Sequence, residues 1–297
     1  GLVASQRVWA DTDGISPEMV TRCGLRWYKN RVVVNYDMDS KDPSDALPLE
    51  RQDGNRSLLT MCYVTSGRFL LGRSFNQLSK EQLHDMSRTF PYHTTSQSAR
   101  PLDAFNEGVL YPQVYDFKVN PSWHQLTFYN HNMDKSKPEL NTIQVTLGNS
   151  LNEGGMALEP QASYYIYDFW NNCFIGKYKG TETLTQTLRE GEARMMSIHK
   201  VENNPQFIST NRHIMQGYID LKDCNWNDSK QTLSGISSVI KNEPYKITIA
   251  TNGKTVQSCS SNKGKAAIKL VDEKNQLVEL TLISKQNQEV TWKITFN

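Results

Sequence analysis

Gln6-Arg7-Val8-Trp9-Ala10-Asp11-Thr12-Asp13-Gly14 reads as a short apolar strand running into a polar turn. On an extended chain Arg7 and Asp11, four residues apart, project to the same side. In a parallel barrel Asp11 and Asp13 would stand at the strand's carboxyl end, where barrel enzymes keep their chemistry. A carboxylate at that rim with a guanidinium below it can serve as an acid/base site. The plainer reading is a strand-end Asp that caps the next helix, which is ordinary turn chemistry.

Downstream of Gly14 the signals alternate between helix and strand. Ser16 suits an N-cap, Pro17 the first helical position, and Ile15 can staple onto Val20. Met19, Val20, Cys23 and Trp27 mark one apolar face of a helix expected to end near Asn30. The β-branched run Arg31–Asn35 predicts a buried parallel strand, followed by an acidic loop from Asp37 to Asp45. A second helix is predicted over Asn55–Thr65, stopped by Gly67, and a further buried strand over Phe69–Leu71. Ser79 and Gln82 form a capping box that opens a third helix carrying Leu83 and Met86. This is a run of βα units. Three cannot close a barrel, which takes about eight, so the chain is expected to begin in the middle of an architecture. A small open α/β sheet is the alternative.

From Arg100 onward the helical period gives way to alternation. Val114–Val119, His124–Tyr129, Thr142–Leu147, Ser163–Trp170, a hairpin through Asn171-Asn172 into Cys173–Gly176, and Glu192–His199 read as an antiparallel sandwich or Greek key. A polar stretch with Pro205, between Glu202 and Gln216, reads as a link. A second β set follows at Gly217–Leu221, Thr232–Ile240, Tyr245–Thr251, Ala266–Val271, Leu277–Ile283 and Val290–Phe296. Asn252-Gly253 is a hairpin signal between two of these runs. The expected domains are therefore residues 1–99, 100–204 and 205–297. The aromatic strand at Tyr164–Trp170 offers a sugar-stacking platform or, as aromatic strands normally do, core filling.

Composition narrows the function classes. A chain of 297 residues holds two or three domains. A net charge of +2 gives no general field for nucleic acid, and no apolar run nears the roughly 20 residues that span a bilayer. Neither partner is expected. The five cysteines are widely spaced with no C-x-x-C pair, the six histidines are scattered, and neither set has metal-ligand spacing. No metal or cofactor is expected. The first residues have no basic leader of a secretory signal. Compartment stays open, since an exported protein with few disulfides would look the same.

Arg7-Val8-Trp9-Ala10-Asp11-Thr12-Asp13 resembles the sixth-strand motif of clan D glycoside hydrolases, the α-galactosidase families 27 and 36. The resemblance implies that Arg7 binds substrate and Asp11 is the catalytic acid/base. Asp42-Pro43-Ser44-Asp45 is similar to the substrate-binding turn of the family's next strand, with one extra Ser. That implies sugar contacts for Asp42 and Asp45. Phe69-Leu70-Leu71-Gly72, Arg100-Pro101-Leu102-Asp103, Tyr165–Trp170 and Ser209–His213 resemble later parts of bacterial members.

The implied architecture is mainly β: the last three βα units of a (β/α)8 barrel, then two antiparallel sandwich-like domains. The implied function is the C-terminal portion of a retaining glycosidase acting on α-galactosides or related α-linked sugars. The family's nucleophilic Asp lies on a fourth strand with no counterpart in these residues, and retention needs two carboxyl groups about 5 Å apart, so the chain alone is expected to be inactive. The competing reading is a non-catalytic carbohydrate-binding or structural β module. The edges of a three-strand stub also invite self-association.

Overall fold

A computed structural model describes residues 5–7, 21, 23–33, 35–41, 52–65, 67–71, 75–92, 95–131 and 140–297. Among them the protein is mainly β. The chain divides into two compact units, Gly1–Tyr164 with Lys177–Met196, and Tyr165–Gly176 with Ser197–Asn297.

The first unit opens with β1 (Ser5–Arg7), β2 (Asn35–Lys41), helix α1 (Gln52–Thr65) and β3 (Arg68–Leu71). The three strands pair in parallel in the order β1-β2-β3. Helix α1 buries Leu58, Leu59, Met61, Cys62, Tyr63 and Val64. Residues 55–65 are buried almost throughout, and several of the helix's polar side chains find internal partners. Thr60 and Thr65 hydroxyls donate to Arg56 and Met61 carbonyls, and Ser57 Oγ accepts the Ala193 amide at 2.7 Å. Arg31 donates to the Tyr63 carbonyl and lies over the Tyr63 and Tyr92 rings. Helix α2 (Lys80–Ser87) starts with the expected capping box: Ser79 Oγ accepts from Gln82 N, and Gln82 Oε1 accepts from Ser79 N.

The expected strand over Arg31–Asn35 is not there. Residues 31–33 form a turn in which Val32 and Val33 amides both donate to the Lys29 carbonyl, Arg31 sits at φ 63°, and Val32 and Val33 are 56% and 70% exposed. The strand begins later because Asn30 fixes it. Its buried side chain accepts the Tyr36 amide at 3.0 Å and donates to the Thr65 carbonyl and Ser98 Oγ. The strand's start is thus set by one amide rather than by β-branched propensity. As a result Asp37 and Asp39, expected in a loop, are strand residues.

The rest of the chain up to Lys200 contributes β4 (Arg100–Pro101), β5 (Val114–Asn120), β6 (Trp123–Tyr129), β7 (Asn141–Thr146), β8 (Ser163–Asp168), β9 (Cys173–Lys179), β10 (Thr183–Leu188) and β11 (Ala193–Lys200). Strands β7 and β10 form an antiparallel pair, and the others form a six-stranded sheet in the order β4-β5-β6-β11-β8-β9. Strand β10 shows the sequence rule directly. Leu184, Gln186 and Leu188 are buried while Thr183 and Thr187 face out and pair with Thr146 and Thr142 across the ladder.

The second unit contains β12 (Gln206–Thr210), β13 (Leu221–Asn227), β14 (Thr232–Val239), β15 (Tyr245–Ala250), β16 (Val256–Ser261), β17 (Lys265–Asp272), β18 (Leu277–Ile283) and β19 (Gln288–Phe296). They build two four-stranded antiparallel sheets, β12-β15-β18-β17 and β13-β14-β19-β16. Ile247, Ile249 and Leu280 from one sheet and Leu233, Trp292 and Ile294 from the other share a buried core. Each such side chain contributes about 1.5–3 kcal/mol on burial. Gly235 faces Trp292 across β14 and β19, and a Cβ there would come within 2.5 Å of the indole. Tyr165 and Tyr167 are buried against Ile208, Ala250 and Leu277, so of the two uses open to the aromatic strand they take core filling.

Three expectations fail in this unit. The stretch around Pro205 is not a bare link, because Gln206–Thr210 forms β12 and pairs with β15. Its polar residues are consumed internally: Ser209 Oγ donates to Gln216 Oε1, Thr210 Oγ1 to Asp220 Oδ2, and Gln206 Nε2 to the Lys200 carbonyl. Residues 217–220 form a turn rather than a strand, and β13 follows. The Asn252-Gly253 turn has the expected left-handed backbone at both residues (φ 50° and 87°). It is not a hairpin, because β15 pairs with β12 and β18 while β16 pairs with β19 in the other sheet. Asn252 anchors this crossing. Its Nδ2 donates to the Glu202 and Asn204 carbonyls and to Gln206 Oε1, and its Oδ1 accepts from the Tyr165 hydroxyl.

Candidate functional site

Asp11, Asp42 and Asp45 lie outside the described residues. Arg7 ends β1, where its backbone stands opposite Asp37 in the parallel register. Its side chain is likewise outside the description. The sequence-predicted site is therefore not assembled among the described residues.

Nearest to an acid/base pair among them is Asp116 with His124 in the first unit, 2.9 Å apart on the antiparallel β5 and β6. With 8% and 2% of their surfaces exposed they cannot meet a substrate. The pair is internal. Asp103 is similar: it accepts the Gln113 and Val114 amides, and burial pushes its carboxyl above the usual range against those bonds. In the second unit Asp220 accepts from Thr210 Oγ1 and the Gly217 amide, and burial raises its pKa while the Thr210 and Tyr245 hydroxyls oppose the rise. Burial lifts the Cys224 thiol to about 12, so it is inert at neutral pH. The described residues contain no group of three His, Cys, Asp or Glu arranged to hold a metal, and no helix long and apolar enough to cross a membrane.

One open groove stands out, in the second unit, with a volume of about 670 Å³. It runs from the Asn252-Gly253 turn along β16 and β17, each the edge strand of its sheet. Val256, Ile268 and Val278 give it an aliphatic floor. Thr255, Gln257, Ser258, Lys254, Lys269 and Gln276 supply polar groups around them. Gln276 Oε1 accepts the Gly253 amide at 2.7 Å, and Lys254 Nζ donates to Gln231 Oε1 at 2.7 Å and lies over the Trp226 ring. Lys269 pairs with Glu279 at 3.3 Å. The single carboxylate lining the groove is Glu273. One carboxylate cannot supply both an acid and a base or nucleophile, so this groove is suited to binding and not to glycosidic cleavage.

Sequence reasoning did not single out these residues. The stretch Val256–Ser261 lacks both apolar alternation and helical period, so nothing marked it as a strand. The one available signal was length: residues 252–265, between two β runs, make a segment long for a bare loop.

No protein-family model matches this chain, and no curated protein does. Among solved structures, an α-galactosidase from Saccharomyces cerevisiae is similar at 9% identity and a TM-score of 0.49, over 67% of this chain and 60% of that one. A GH27 β-L-arabinopyranosidase from Geobacillus stearothermophilus, in complex with arabinose, is similar at 14% and 0.46, over 67% and 46%. An isomalto-dextranase from Arthrobacter globiformis, complexed with panose, is similar at 10% and 0.36, over 89% and 48%. The chain spans about half the length of these structures.

Proposed function

We propose that the chain is the C-terminal portion of a retaining glycoside hydrolase of the α-galactosidase type, acting on α-galactosides or related α-linked sugars. What supports this reading is the order of three strands that pair in parallel in chain order, with α1 between the second and third and Arg7 at the end of the first. Consecutive parallel strands with a helical crossover are what the closing units of a (β/α)8 barrel provide. In this reading residues 1–99 are those units, and residues 100–204 and 205–297 are two β domains. Asp11 is the acid/base and Arg7 holds a sugar hydroxyl. Asp42 and Asp45, directly after β2, contact the substrate.

Retention requires a second carboxyl group about 5 Å from the first. No residue here matches the motif that carries the nucleophile, so the 297 residues alone should not turn over substrate. The test is hydrolysis of nitrophenyl α-galactoside by the protein expressed from its native start codon. Turnover that Asp11→Asn lowers by at least a thousandfold is the expected result, and full activity in that variant overturns the assignment. Hydrolysis by residues 1–297 alone, abolished by the same substitution, would make a local carboxylate the nucleophile.

The second reading, a non-catalytic carbohydrate-binding or structural β module, is favoured by the groove and its lone carboxylate. Carbohydrate is the proposed partner in both. We also propose that the chain self-associates through the open edges of the β1-β2-β3 sheet.

A further inference from the structure

We propose that the groove between β16 and β17 binds a neutral α-linked oligosaccharide. The choice of sugar rests on the glycoside-hydrolase reading. The choice of a neutral, hydroxyl-rich ligand rests on the groove itself.

Its volume of about 670 Å³ falls in the range of small-ligand sites, roughly 300–1,000 Å³. Its polar groups are unspent. Among the described residues the side chains of Thr255, Gln257 and Ser258 form no internal hydrogen bond. Gln276 commits its carbonyl oxygen to Gly253 and leaves its NH₂ unpaired. Amides and hydroxyls both donate and accept, which suits a ring of hydroxyl groups. The Val256, Ile268 and Val278 floor suits the C–H faces between them. The two lining lysines are already engaged, Lys269 with Glu279 and Lys254 with Gln231 and Trp226, and Glu273 is the one acidic side chain of the lining. Among the described residues both lysines of the lining are thus held by other side chains rather than left to select an anion.

Backbone geometry argues against an added peptide strand. Both edge strands carry a bulge at the groove. The register jumps from Val256 to Ser258 in β16 and from Leu270 to Asp272 in β17. A bulge breaks the even ladder that an incoming strand needs, and Lys265 and Lys269 guard the β17 edge. Bulges also redirect side chains and recur beside functional sites. In β16 the residue left out of the pairing is Gln257, a groove-lining amide.

The test is affinity electrophoresis of the full chain in gels carrying galactomannan, dextran or dextran sulfate. We expect retardation by galactomannan or dextran. Gln257→Ala should weaken it about tenfold, as loss of one ligand hydrogen bond does, with an unchanged melting temperature. Lys222→Ala, outside the groove, should leave it intact. No retardation by either neutral polysaccharide, retardation by dextran sulfate alone, or equal retardation of Gln257→Ala overturns the proposal. Asp11→Asn, made in the protein expressed from its native start codon, separates the two readings. If that variant keeps both hydrolysis and Gln257-dependent retardation, the catalytic assignment falls and the groove stands. If it loses hydrolysis and no protein is retarded, the reverse holds.

Discussion

Asn252 joins the Glu202 and Asn204 carbonyls, the Gln206 side chain and the Tyr165 hydroxyl through one side chain, at a backbone angle that Asn tolerates better than most residues. Asn252→Ala should lower the stability of the second unit by about 1–3 kcal/mol, since four hydrogen bonds, three of them part-buried, are lost at once. Urea titration followed by intrinsic tryptophan fluorescence checks this, and a loss below about 0.5 kcal/mol would contradict it. Asp220 makes a pH prediction. Its folded pKa is raised above the ordinary 3.8 by burial, so the folded state holds the proton more tightly than the unfolded chain does. That increment of stability is fully present below 3.8 and is lost as pH rises through the folded value. Asp103 has the same sign. The urea midpoint should therefore fall as pH rises across this window, and Asp220→Asn should flatten part of the slope. An identical slope in the variant would assign the effect elsewhere.

Strand β14 depends on having no side chain at Gly235, where an added Cβ meets the Trp292 ring at 2.5 Å and the Asp223 carbonyl at 2.6 Å. Gly235→Ala should cost about 1–3 kcal/mol through overpacking, measurable as a lowered melting temperature. If the cost is absent, Trp292 can shift without penalty. Elements were legible where one local rule acts alone. The Ser79–Gln82 capping box, the alternation in Leu277–Ile283, and the apolar face of α1 could all be read directly. They failed where a distant partner decides. Asn30 moves the start of β2 past a β-branched run, and Gln216 and Asp220 convert a polar link into β12. The partner strand β19 recruits the unpatterned β16. The groove was illegible for the same reason, because its polar residues face one another only after two edge strands of different sheets are brought side by side.

At the scale of the whole molecule, the β1-β2-β3 sheet has an unpaired edge at each end among the described residues, and open edges associate. Light scattering should show the full chain as a dimer or larger species and a truncation starting at Arg100 as a monomer. A full chain that stays monomeric at high concentration would refute the proposed association. Circular dichroism should show little helix in that truncation, since residues 100–131 and 140–297 contain no α-helix.

The Asn252-Gly253 turn carries a chemical clock. Asn followed by Gly is the pair most prone to deamidation, in which the glycine amide nitrogen attacks the asparagine side chain, closes a succinimide and expels ammonia. Here both reactants are restrained: the Gly253 N–H is given to Gln276 and the Asn252 amide to Glu202, Asn204 and Gln206. The same bonds that fix the crossing thus slow its ageing. Local opening would release both, and the resulting carboxylate, facing carbonyl oxygens, could not re-form the turn. Each opening that ends in deamidation would then be irreversible, leaving aspartate or isoaspartate at position 252 as a permanent record of how often this corner had come apart.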